Sequence, residues 1–118
     1  MATIVWPNTT RGSTRPFGYS ETQTVAGTTA KYIGVPSDVH QIGLQVSGVT
    51  TGYFLYGTMN TVAQIEADSA VYFDLLGNGT DAQTVAKQIS IEGPLTAIKV
   101  VGSAGGAAAT LHVEMRRV

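Results

Sequence analysis

The sequence has no cysteine, which excludes disulfides, thiolate metal sites and cysteine nucleophiles. Charge is nearly as scarce. Asp, Glu, Lys and Arg make up 13% of the 118 residues, against roughly 25% in an average soluble domain. The formal net charge is −1, too weak a field to attract nucleic acid or an anionic membrane from a distance. No apolar run approaches the roughly 18 residues that a helical membrane span needs. The opening stretch, MATIVWPNTTRG, has no basic segment followed by a sustained apolar one, so no signal peptide is expected. With neither signal nor cysteine, the chain reads as made in a cytoplasm.

Hydroxyls, glycine and branched aliphatics take the place of charge. There are 16 Thr, 7 Ser and 14 Gly, and Val, Ile and Thr together number 36. Branched side chains are tolerated better on a pleated surface than in a helix, and an all-β domain is therefore expected. Apolar residues make up 43% of the chain, enough for one core.

Residues 1–31 differ from the rest. A short strand is expected at 3–6, ended by Pro7. From 8 to 18 the chain is rich in Thr, Ser, Gly and Pro, with Arg11 and Arg15 as its only charges. Such a segment buries too little to offset its own ordering entropy, and it reads as an extended arm or long loop, either mobile or laid against a neighbour. Arg11, Arg15, Phe17 and Tyr19 are its candidate partner-binding residues, because arginine and aromatics with no core of their own are what interface anchors look like.

Residues 32–118 read as the sandwich domain. Alternation is clearest at 39–47, with Ile42, Leu44 and Val46 on one face and Gln41, Gly43, Gln45 and Ser47 on the other. Further strands are expected at 22–26, 31–35, 53–58, 70–76, 84–91, 95–101 and 107–115. Residues 59–69 suggest one helical turn or an irregular loop, and Gly102 to Gly106 a hairpin loop. Strands about ten residues apart fit an antiparallel sandwich or jelly roll.

Little chemistry is gathered in the sequence. The two histidines, His40 and His112, both fall in expected strands, and Ser103 lacks the G-x-S-x-G setting of a nucleophile elbow. Asp74, Asn78 and Asp81 carry oxygen ligands but not calcium-loop spacing, and they read as turn residues. No enzyme activity and no cofactor are expected. The aromatics Tyr53, Phe54, Tyr56, Tyr72 and Phe73 fall within expected strands, where packing is the ordinary role and a sugar platform the alternative.

Several stretches carry a resemblance: IGLQVSG at 42–48, GYFLYGT at 52–58, AVYFDL at 70–75, EGPLTAIKVV at 92–101 and ATLHV at 109–113. Together, over roughly residues 40–115, they resemble the capsid decoration, or cement, proteins of tailed bacteriophages. The resemblance implies a single antiparallel β-sandwich of jelly-roll type with an extended terminal arm. It also implies a non-enzymatic virion protein on the capsid surface, a homo-oligomer (dimer or trimer) that bridges subunits of the major capsid protein. Carbohydrate-binding sandwiches of phage tails or baseplates share the same rhythm and are the alternative. A surface of Thr, Ser, Gly and Ala costs little to dehydrate, which suits a protein that works against neighbours.

Overall fold

The computed structural model describes residues 2–10, 18–77 and 79–117. In chain order its strands are β1 (Ile4–Val5), β2 (Asn8–Thr10), β3 (Gly18–Ala26), β4 (Lys31–Gly34), β5 (Val39–Ser47) and β6 (Tyr53–Thr58). A short helix α1 (Val62–Glu66) follows, then β7 (Phe73–Asp74), β8 (Lys87–Glu92), β9 (Ala97–Gly102) and β10 (Ala107–Arg117). They form two five-stranded sheets. Sheet I has the order β1-β4-β9-β6-β7 and sheet II the order β2-β3-β10-β5-β8. Every pairing is antiparallel except that of β1 with β4. The protein is all-β, with two sheets packed face to face.

Period-two patterning decides which side of each strand turns inward. In β5, Ile42, Leu44 and Val46 are buried while Gln41, Gln45 and Ser47 are exposed. Leu111, Val113 and Met115 of β10 lie opposite Val46, Leu44 and Ile42 and join the same layer. Sheet I answers with Ile33, Tyr53, Leu55, Ile98 and Val100. Full burial of such a side chain stabilises by about 1.5–3 kcal/mol relative to exposure, so this shared layer holds the sheets together.

A second, smaller cluster lies on the outside of sheet I, where Ile65 of α1 packs with Ala2 and Ala97. A five-residue helix is too short to persist alone. Its start is fixed by a capping box, in which the Thr61 hydroxyl accepts from Gln64 N and the Gln64 side chain accepts from Thr61 N. Its packed face is fixed by Ile65.

The structure redraws several sequence expectations. Only two residues of the expected strand at 70–76 pair as β7. Val71 N donates to the Asn60 side chain instead of to a ladder, and the Asp74 carboxylate turns the chain by accepting from Leu76 N (2.9 Å) and Gly79 N (2.7 Å). The strand expected at 84–91 starts only at Lys87. Before that, Gln83 and Tyr53 exchange backbone hydrogen bonds of 2.9 and 3.0 Å, so the chain runs along sheet I before crossing to sheet II. The loop at Gly102 to Gly106 closes no hairpin: it crosses from sheet I to sheet II, joining β9 to β10. Of the segment expected to be an arm, Asn8–Thr10 pairs as β2 along β3, and β3 begins at Gly18.

Candidate functional site

The two outer faces carry different chemistry. On sheet II, Thr22, Thr24, Gln41, Gln45, Ser47, Gln88 and Ser90 are exposed beside half-buried Thr110, His112 and Glu114. Thr22 Oγ1 and His112 Nδ1 are hydrogen-bonded at 2.8 Å, and His112 Nε2 lies 3.7 Å from Glu114 Oε1. This face is mostly amide and hydroxyl, with Glu92, Glu114 and Arg116 among them and an imidazole already engaged by its neighbours.

The outer face of sheet I is aromatic. In β6 the alternation sends Tyr53 and Leu55 inward and leaves Phe54 and Tyr56 half-buried on the outside. Tyr32 of β4 and Lys99 of β9 sit directly opposite each other in the ladder, as do Lys99 and Tyr56. Lys99 therefore stands in the centre of a row of rings. Its Nζ lies 4.8 Å from the Tyr72 ring centre, 5.7 Å from Tyr56 and 5.8 Å from Tyr32, within cation–π range of all three. The Phe54 and Tyr56 rings lie nearly parallel, 10° apart with centres separated by 6.3 Å.

Burial pushes the Tyr32 phenol above its ordinary value of 10.0, and the Asp68 carboxylate adds to the effect. Tyr72 is raised by burial first, then by Tyr32 and Asp68. Both phenols therefore stay protonated as donors at neutral pH. Beside them a groove of about 470 Å³ opens, lined by Thr28, Ala30, Phe54, Tyr56, Tyr72, Lys99 and Ser103 among others.

A second feature is an exposed apolar edge. Met59 is 65% exposed, Val71 75% and Phe73 44%. These residues cluster because β7 pairs with the end of β6 and the Thr58 hydroxyl donates to Val71 O at 2.8 Å. Trp6, 49% exposed, lies on sheet I against Gly34, where any Cβ would overlap its ring.

Of the four residues singled out in the sequence, Tyr19 alone lies among the described residues. Tyr19 sits in β3, packed against the main core, and its hydroxyl donates to the Asp38 carboxylate at 3.0 Å. Arg11, Arg15 and Phe17 lie outside the described residues. Of the turn trio, Asp74 spends its carboxylate on backbone N–H groups and Asn78 lies outside the described residues. Among the described residues no three His, Asp or Glu side chains are grouped to hold a metal. The sequence pattern puts Tyr72 and Tyr56 in strands but does not put them around Lys99. The only available signal was period two, which puts Phe54 and Tyr56 on one face of one strand. The cross-strand neighbours needed the register. Comparison of the chain with known protein families, with curated proteins and with solved structures finds no match.

Proposed function

We propose that the chain is a structural protein of a bacteriophage particle. It is a decoration protein seated on the outer surface of the capsid, where as a homo-oligomer it bridges neighbouring subunits of the major capsid protein. In this reading the sandwich is a jelly roll. The support for that is the nesting of the strand pairs: β3 pairs with β10, β4 with β9, β5 with β8 and β6 with β7. The chain pairs as one long hairpin whose successive segments fall alternately in sheet II and sheet I, which is how a jelly roll is wound.

A fold of this kind hosts many functions, so the reading is carried by the apolar edge of Met59, Val71 and Phe73. Exposed apolar side chains grouped on one edge mark a surface that another protein covers. A clamp with this edge acts by mass action, binding the assembled shell in preference to free subunits and so shifting assembly. Arg11, Arg15 and Phe17 of the N-terminal segment are proposed as further shell contacts.

The test is co-sedimentation of the purified protein with expanded capsid shells that lack it. Saturable uptake at a fixed ratio to the major capsid protein is expected, and Val71→Asp with Phe73→Asp should weaken it at least about tenfold, as loss of an interface centre does. Shells that take up no protein, or that take up the double variant equally well, overturn the reading.

A further inference from the structure

The groove on the outer face of sheet I is separate from the apolar edge, and its lining has a chemistry of its own. Three features narrow what could fill it.

The first is the ring surface. Phe54, Tyr56 and Tyr72 line the groove, and Phe54 with Tyr56 forms a nearly parallel pair. Sugar rings, with one apolar C–H face, stack on such surfaces. The second is the hydroxyl rim. Ser103 Oγ accepts from Gly52 N at 3.0 Å, which leaves its proton to donate elsewhere, and Thr28 lines the groove as a second hydroxyl. Hydroxyls that both donate and accept match the hydroxyls of a saccharide.

The third is charge. Among the described residues Lys99 is the one cation in the groove lining. Its ammonium is held by three tyrosine rings, two of which also feel the Asp68 carboxylate, and among the described residues no carboxylate lies within ion-pair distance of it. A ligand carboxylate would therefore meet a cation that is already positioned and partly dehydrated, where a charge-assisted hydrogen bond is strongest.

An extended peptide fits less well. Strands β6 and β9, which form the groove floor, are both paired on each side, so no free backbone edge is there for strand addition.

We propose that this groove binds an acidic polysaccharide, whose sugar rings stack on Phe54, Tyr56 and Tyr72 and whose carboxylate pairs with Lys99. The volume of about 470 Å³ accommodates a short run of sugar residues, within the usual range for a ligand site. This site does not depend on the capsid reading. A particle protein with a shell-facing edge and an outward groove could hold both.

The test is a titration of the whole chain with oligogalacturonate, and with a neutral cello-oligosaccharide of equal length, followed by amide NMR. Saturable shifts are expected at Tyr56, Lys99 and Val101 with the acidic oligomer, while Gln45 and His112 on sheet II stay unmoved. Lys99→Met should lower affinity for the acidic oligomer at least about tenfold, the scale of a lost hydrogen bond to a charged group, and should erase the preference over the neutral one. Tyr56→Ala should weaken both, and Thr22→Ala neither. The map on the unmodified chain guards against a variant that fails to fold. No saturable shift at the groove up to about 10 mM, weaker than any useful site, overturns the proposal. Equal affinity for the neutral oligomer, or an unchanged Lys99→Met variant, overturns it equally.

Discussion

Sheet I and sheet II share one core and differ on the outside. Sheet II is exposed as threonine, glutamine and serine, with Thr22, His112 and Glu114 tied to one another. Sheet I carries Trp6, Phe54, Tyr56, Tyr72 and a lysine in their midst, a small helix packed on one end, and an apolar edge. The inner faces are constrained by the need to exclude water, so they resemble each other. The outer faces answer only to what they touch. A polar outer face of hydroxyls and amides stays hydrated with few charges, Glu92, Glu114 and Arg116 among them, which is how a chain with 13% charged residues keeps one side wet. The other side is aromatic, and aromatic side chains are enriched where proteins meet other molecules.

The strongest way to test the equality of the inner faces is to hollow each in turn. Ile98 of sheet I and Leu111 of sheet II are both fully buried. Ile98→Ala and Leu111→Ala should each cost about 2–5 kcal/mol, the usual range for a core truncation. Guanidinium unfolding monitored by circular dichroism reads both. A large loss in one and almost none in the other would mean that the sheets do not share a single cooperative core.

A smaller effect separates the outer faces. Gly34 of sheet I lies beneath the Trp6 ring, and a Cβ there would overlap it. Gly43 of sheet II has only Glu114 O near its missing Cβ, at an ordinary 3.8 Å. Gly34→Ala must displace Trp6 or bend β4 and should cost about 1–3 kcal/mol, as overpacking does. Gly43→Ala should stay within about 0.5 kcal/mol, as a surface change usually does. Trp6 is the only tryptophan in the sequence, so its fluorescence should shift in the first variant and hold in the second.

The same contrast explains what was legible in the sequence. The alternation in β5 and β10 was plain because Ile42, Leu44, Val46, Leu111 and Val113 are apolar and their neighbours polar. Strand β3 was cut short because its inward positions near the sheet edge are Glu21 and Gln23. These bond to each other, and Lys31 donates to Gln23 at 3.4 Å. No apolar period marks such a stretch. Strand β7 was overextended because Ala70 to Leu76 is apolar enough for a strand, and only the Asn60 and Asp74 side chains divert its backbone. The groove around Lys99 was invisible for another reason. Tyr32, Tyr56, Tyr72 and Lys99 come from four separate segments, and a one-residue change of register would scatter them across two faces. Aromatic content was readable, but the neighbours of each ring were not.

The mildest test of the difference between the faces uses alkali. Tyr32 and Tyr72 on sheet I, and Tyr53 beneath it, all have phenols raised above 10.0, in each case chiefly by burial. The folded state holds these phenols neutral, while in the unfolded chain they ionise near the ordinary value. Below about pH 10 both states are protonated and the contribution to stability is complete. As pH rises through the raised folded values, the unfolded chain has already released its protons and stability is lost. The melting temperature should therefore fall above about pH 10. Tyr32→Phe with Tyr72→Phe should flatten part of that fall, because the replacements cannot ionise. Tyr53, raised by burial, contributes to the fall that remains. Thermal melts from pH 8 to about 12, bracketing the phenol value, measure the difference. A double variant whose melting temperature falls as steeply as that of the unaltered chain would show that the rings around Lys99 are no drier than the threonines of sheet II, and the contrast between the two faces would then be one of shape and not of solvation.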